Sequence, residues 1–224
     1  ANMQVSSSPA PNRLYRNDGS DVFIDVAGSF GLDDGGSGRS VSWIDYDGDG
    51  DLDLYLCNDG PNHLWRNDGE DPMLPGIWIF TDVAPGDGSG VGDDRYTMGC
   101  AWADFDGDGD QDVYLTNHDG AQNALLRNDG GDVFTDVATS WGVAHPGFGM
   151  GCAWADYDGD GLLDLYVSNL GANILYHRVP GMDSFEDATL LSGVGLNDGQ
   201  YGAGIAWADY DNDGDLDLYL GNHW

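Results

Sequence analysis

The apolar positions of this chain come in short runs, each stopped by glycine and aspartate. Met98–Ala103 sets large residues against small ones, and Asp53–Leu56 reads D-L-Y-L. Such runs, bounded by Asp-Gly and Asn-Asp-Gly, read as short strands joined by tight turns. Windows with a helical period of apolar residues are missing, so an all-β chain is expected.

The runs repeat. Trp43–Leu56 (WIDYDGDGDLDLYL) recurs as Trp102–Leu115, Trp154–Val167 and Trp207–Leu220. The first aspartates of the copies, Asp45, Asp104, Asp156 and Asp209, stand 59, 52 and 53 residues apart. A second motif lies between them: Asn12–Ala27 (NRLYRNDGSDVFIDVA), Asn62–Gly69 followed by Ile79–Ala84, and Asn123–Ala138. Its fourth copy, Asn173–Thr189, has lost the Asn-Asp-Gly turn. Each unit reads as four strands: A ends in the Trp, B is D-L-Y-L, C is L-Y-R, and D is V-F-x-D-V. Four antiparallel strands repeated at about 40–55 residues predict blades of the β-propeller type, with stacked β-sandwiches as the alternative. The expected fold is therefore all-β, with four four-stranded antiparallel blades.

Strand order adds a constraint. The N-terminal part supplies C and D before any A or B, and the C-terminal part supplies A and B alone. One blade is thus split between the two ends, and an open strand edge needs a partner. The ends can close a small ring, or the C-terminal pair can receive the N-terminal pair of another copy and build a filament. A segment of a longer propeller would look the same. Residues 1–11 (ANMQVSSSPAP) read as a Ser/Pro-rich arm, open to O-linked sugar, and 12–224 as one repeat domain. A start at Ala1 fits a mature end left by signal-peptide cleavage.

Charge narrows the function. The chain has 224 residues and a formal net charge of −33, with 40 acidic residues against seven basic ones. Only Glu70 and Glu186 are glutamates, and every basic residue is arginine. A pI near 4.1 argues against nucleic acid and anionic membranes as partners. No apolar run approaches the ~18 residues of a membrane span. Disorder is disfavoured by 41% hydrophobic and 12% aromatic residues, enough for a core.

The aspartates concentrate in one pattern, D-x-D-x-D-G-x-x-D, between strands A and B. The loops are Asp45, Asp47, Asp49, Asp51, Asp53; Asp104, Asp106, Asp108, Asp110, Asp112; Asp156, Asp158, Asp160, Leu162, Asp164; and Asp209, Asp211, Asp213, Asp215, Asp217. Calcium takes six to eight oxygen ligands, and alternating carboxylates can wrap around it when glycine permits the turn. Positions 1, 3, 5 and 9 are the expected side-chain ligands. Position 7 is expected to give only its carbonyl, since Leu162 has no side-chain oxygen. Magnesium prefers fewer carboxylates, and zinc would want His or Cys. Four Ca²⁺ ions are expected, one per repeat.

These loops, with N-R-L-Y-R-N-D-G-x-x-x-F-x-D-V-A between them, resemble the FG-GAP/VCBS repeat family. The blades look like those of integrin α-subunit propellers, and closer still to the repeats of secreted bacterial and cartilage-acidic-protein-like relatives. The resemblance covers about residues 12–222 and implies a calcium-bearing propeller. Closed propellers of the family usually have seven blades, so four is a departure.

The remaining chemistry-bearing residues read as structural. Cys100 and Cys152 share an apolar repeat position with Val41 and Ile205 and are expected to be buried free thiols; Cys57 occupies a small-residue position. Trp43, Trp102, Trp154 and Trp207 are expected in the core. Ser40, Gly99, Gly151 and Gly204 mark a crowded site. The five histidines read as solvated loop residues, and Asp33–Gly38 and Ala84–Gly92 as surface loops. No catalytic motif and no N-x-S/T sequon is present. The expected function is a secreted, non-catalytic calcium-binding interaction module, adhesive or self-assembling as a fibre subunit. A lectin-like glycan-binding propeller and the accessory propeller of a polysaccharide-active enzyme are the alternatives. The expected partners are other copies or extracellular proteins and glycans, with no nucleic acid and no membrane insertion.

Overall fold

A computed structural model describes residues 10–84, 90–192, 196 and 200–223. Most of the Ser/Pro arm and part of Ala84–Gly92 lie outside the described residues. Strand accounts for 46% of the chain and helix for 5%, as the short apolar runs imply.

Three sheets of four antiparallel strands follow one another. The first holds β3 (Gly38–Ile44), β4 (Asp53–Asn58), β5 (Gly60–Glu70) and β6 (Trp78–Asp82) in that order. The second holds β7 (Thr97–Ala103), β8 (Asp112–Asn117), β9 (Ala124–Asn128) and β10 (Phe134–Asp136). The third holds β11 (Gly149–Ala155), β12 (Asp164–Asn169), β13 (Ile174–Arg178) and β14 (Phe185–Asp187). The flanking pairs, β1 (Tyr15–Asn17) with β2 (Phe23–Asp25) and β15 (Tyr201–Ala208) with β16 (Asp217–His223), are separate two-stranded sheets. Strands A to D therefore pair in sequence order, and the split unit stays in two halves. No closed ring forms among the described residues.

The three B strands are buried along their whole length. That explains why D-L-Y-L is not an alternating pattern: both faces are covered. Cores form between sheets. Tyr55, Cys57 and Leu64 of the first pack with Val113, Leu115 and Leu126 of the second. Tyr114 and Leu125 pack with Leu165, Val167 and Tyr176 of the third. The A strands approach very closely. A Cβ at Gly151 would lie 2.7 Å from the Ala203 carbonyl oxygen, and one at Gly99 3.0 Å from that of Met150. Only glycine fits there, which accounts for the small-residue position. Gly204, the last of the series, meets nothing within 4 Å.

A buried polar net ties each sheet to the next connection. Tyr55 and Tyr114 donate their hydroxyls to the carbonyls of Val91 and Val143, at 3.0 and 2.8 Å. Asn62 and Asn123 donate to those hydroxyls at 3.1 Å and accept the Asn58 and Asn117 amides at 2.8 Å. The two tyrosine hydroxyls and the side-chain amides of Asn62 and Asn123 are thus satisfied.

Several expectations need correction. The end of the second glycine-rich stretch is not a surface loop: Val91 is buried in a 3-10 turn at Gly90–Gly92, held by the Tyr55 hydroxyl. One-turn helices, α1 (Ala27–Phe30) and α2 (Ala138–Trp141), follow two D strands and are closed by left-handed Gly31 and Gly142. Four residues are too few for a helical period to show. The repeated tryptophans are not deep core: Trp102, Trp154 and Trp207 are half-buried between sheets, and Trp43 is exposed. Of the cysteines, only Cys57 is fully buried. His63 and His177 lie on strands: His63 stacks on Trp65 and bonds Asp82 at 2.6 Å.

The net predicts one outcome. Asn123→Ala leaves the buried Asn117 amide without its acceptor and takes one donor from the Tyr114 hydroxyl, which keeps the Val143 carbonyl. It should cost about 2 kcal/mol, from the ~1–3 kcal/mol of an orphaned buried group, in urea unfolding of the metal-loaded protein.

Candidate metal-binding loops

Each A–B connection is a nine-residue turn built by its own carboxylates. Position 1 accepts the amide of position 6: Gly50 to Asp45 at 3.2 Å, Gly109 to Asp104 at 3.0 Å, Gly161 to Asp156 at 2.9 Å and Gly214 to Asp209 at 3.1 Å. Position 5 accepts the amide of position 7 at 2.8–3.0 Å, from Asp51, Asp110, Leu162 and Asp215. Only the amide of position 7 enters these bonds, so leucine serves in the third loop. Two residues per loop must be left-handed. Position 6 is always glycine, and position 4 is Gly48, Gly107, Gly159 and then Asn212 at φ 62°. Asparagine tolerates that conformation better than other side-chain residues.

Position 9 does something the sequence did not disclose. Asp53, Asp112 and Asp164 are buried at the first residue of a B strand. One oxygen accepts the amide of position 2 and the other an amide from strand C. The first bond runs from Tyr46, Phe105 and Tyr157, at 3.2 Å each. The second runs from Asn67, Asn128 and Arg178, at 2.8 Å each. The last aspartate is thus a clamp between loop and sheet before it is anything else. The position-2 aromatic then reaches toward the next sheet. Tyr46 packs on Phe134 at 5.9 Å, and Phe105 stacks on Trp154 at 6.0 Å. Asn128 closes the link by donating to the Tyr46 carbonyl at 3.0 Å.

The carboxylates converge. Ligand atoms of Asp45, Asp47 and Asp53 lie within 4.8 Å of one another, as do those of Asp104, Asp106 and Asp108; Asp156, Asp158 and Asp160; and Asp209, Asp211 and Asp217. Asp49, Asp112 and Asp213 fall outside the tight group of their own loop, and so do the position-7 residues Asp51, Asp110, Leu162 and Asp215. Asp164 groups instead with Asp158 and His177. His177 Nδ1 is 3.2 Å from Asp164 and 3.4 Å from Asp158. It was not singled out from sequence. The available signal was its position, which Arg66 and Arg127 occupy in the earlier copies.

This arrangement could hold a cation. Burial is the main force raising the carboxyls of Asp53, to about 6, and Asp112, to about 7; nearby aspartates add to it, and the two backbone bonds oppose it. Burial raises Asp47, Asp106 and Asp164 as well. One oxygen of Asp45 is buried without a hydrogen-bond partner. An all-oxygen group of short carboxylates with an orphaned oxygen fits a hard divalent ion.

Repeated four-stranded sheets with an aspartate loop after each first strand define a class of β-repeat protein that could hold one cation per repeat. The chain belongs to the FG-GAP-like repeat family, whose pattern matches residues 4–56, 45–115 and 104–167. Cartilage acidic protein 1 of Mus musculus is 32% identical over 168 residues, 71% of this chain and 25% of that protein. The Xenopus tropicalis protein of that name matches to the same extent. The chain thus spans about a quarter of the length of these curated relatives. The fourth loop lies beyond the matched residues but keeps the same hydrogen bonds.

The raised carboxyls set a pH dependence. An unfolded aspartate titrates near ~3.9, so the folded, metal-free state holds protons more tightly at Asp53 and Asp112. Their contribution is complete below ~4 and is lost as pH rises through about 6 and 7. Chelated protein should therefore lose stability between pH 5 and 8, whereas a divalent ion competes with the same protons. The gap in Tm between metal-loaded and chelated protein should widen from pH 5 to 8 in parallel melts.

Proposed function

We propose that this chain is a non-catalytic, extracellular β-repeat module of the propeller type, stapled by calcium, that joins copies of itself head to tail through its two half-sheets.

The repeated junction between sheets, uncovered at Trp43 and at Tyr219 among the described residues, carries the assembly reading. Inside the chain a B-strand tyrosine meets the next A-strand tryptophan edge-on three times. The pairs are Tyr55 with Trp102 (5.4 Å, 84°), Tyr114 with Trp154 (6.3 Å, 84°) and Tyr166 with Trp207 (6.3 Å, 90°). The fourth tyrosine, Tyr219, is 77% exposed, and the remaining tryptophan, Trp43, is 46% exposed. The position-2 aromatic repeats the pattern, since Tyr210 is 76% exposed where Tyr46 is buried. Asn12 stands where Asn62 and Asn123 stand, yet its Nδ2 is buried without a partner. The Tyr219 hydroxyl of another copy supplies that partner. The β4–β5 register pairs Tyr55 with Leu64. Transferred to the split unit, it pairs Tyr219 with Leu14 of the next copy.

Calcium is the preferred cation because each loop offers four carboxylates and a carbonyl, matching its need for six to eight oxygens. Asp45, Asp47, Asp49 and Asp53 hold it in the first loop, and their equivalents hold it in the others. The ion offsets the mutual repulsion of these carboxylates. The net charge of −33 suits a calcium-rich exterior.

Excess chelator should lower the Tm by roughly tens of degrees, since cation binding and loop order are coupled. An unchanged melt overturns the calcium reading.

In calcium, sedimentation should show concentration-dependent chains, with fibres by negative stain. Trp43→Ala and Tyr219→Ala should each sediment as single copies, and an equimolar mixture should form only dimers through the intact face of each. Discrete particles of one size at every concentration would overturn head-to-tail joining.

A further inference from the structure

Two cysteines meet where the first and second sheets pack. Cys57 lies near the end of β4, 0% exposed. Cys100 lies in the middle of β7, half-buried, packed against the cluster that contains Cys57. Strands β4 and β7 lie against each other. Two serines of β3 flank the pair: Ser40 is the cross-strand partner of Cys57, and the Ser42 hydroxyl is 3.6 Å from the Cys100 sulfur.

The other junctions show what is unusual here. Cys57 corresponds to Thr116 and Ser168, and Cys100 to Cys152 and Ile205. The second junction therefore sets a threonine against a thiol, and the third a serine against isoleucine. Cys152 instead points its thiol at the Tyr114 carbonyl, at 3.7 Å. Only the first junction sets a thiol of an A strand against a thiol of the preceding B strand.

We propose that Cys57 and Cys100 form a disulfide that ties the first sheet to the second when the protein meets a small disulfide oxidant. The two thiols are also chemically unequal. Hydrogen bonds from Cys57, Ser42 and Ser40 lower the Cys100 thiol, whereas burial raises Cys57. Cys100 is therefore the first nucleophile, because the thiolate is the reactive form. Its thiolate attacks one sulfur of oxidised glutathione, the glutathione S–S bond breaks, and one glutathione leaves as thiolate. That thiolate takes the proton of Cys57. Cys57 then attacks the Cys100 sulfur of the mixed disulfide and releases the second glutathione. Two protein thiols are oxidised by two electrons, and one glutathione disulfide is reduced to two thiols. The link closes the chain from residue 57 to residue 100, which restricts the unfolded ensemble. It depends on neither the calcium nor the assembly reading.

The full chain, in calcium, is incubated with oxidised glutathione, unfolded, alkylated without reduction and mapped by peptide mass. The expected result is one peptide pair joined through Cys57 and Cys100, with Cys152 alkylated. Cys152→Ser should keep the link. Cys57→Ser, a change to the residue that stands at the equivalent position 168, should stop at glutathione held on Cys100, with Cys152 alkylated and no peptide pair. Dithiothreitol should lower the Tm of the oxidised parent by several degrees and leave that of Cys57→Ser, kept from the oxidant, unmoved. Three alkylated cysteines, or a link through Cys152, would overturn the proposal.

Discussion

At the first residue of each complete second strand, a buried aspartate accepts two backbone N–H groups from opposite directions. Asp53, Asp112 and Asp164 each bond the loop that precedes them and the third strand of their own sheet. A carboxylate placed so deep is costly unless both oxygens are satisfied. Here the backbone satisfies them, and the loop's geometry is fixed as a result. The remaining carboxylates of the loop are then held close enough that they could hold a cation. Strand pairing, loop shape and cation site thus follow from one side chain per repeat.

The same economy joins the sheets. Each four-stranded sheet presents a tyrosine edge-on to a tryptophan of the next, and the first two loops add an aromatic ring. The contacts are small in number but repeated, so the array behaves as a sum of units and junctions. Gly204 faces open space where Gly99 and Gly151 face a neighbouring carbonyl, and Asn12 lacks the hydroxyl that its counterparts find.

Much of this was legible in the chain itself. The all-β character, the A-to-D order, the hairpin at Asn128–Gly130 and the four aspartate loops follow from residue types with narrow backbone preferences. Glycine at positive φ and aspartate capping nearby amides act over a few residues, so their meaning is local. The one-turn helices were not legible, since four residues carry no period. Nor was the burial of Val91, which depends on a hydroxyl at position 55. His177 looked like a loop histidine because nothing local separates it from one; only strand pairing brings it beside Asp158 and Asp164.

The sequence by itself determined the unit: four strands, one acidic loop, and the number of copies. These are short-range matters, settled by turns, caps and strand-length runs. The tertiary structure alone decided how units meet. It divided the carboxylates between ligand-like groups and the backbone clamp, set Trp43 apart from its three counterparts, and placed Cys57 against Cys100. Those outcomes depend on surfaces far apart in the chain and on which of them is covered. Burial is a property of neighbours, and a repeat cannot specify in its own residues whether a neighbour is there.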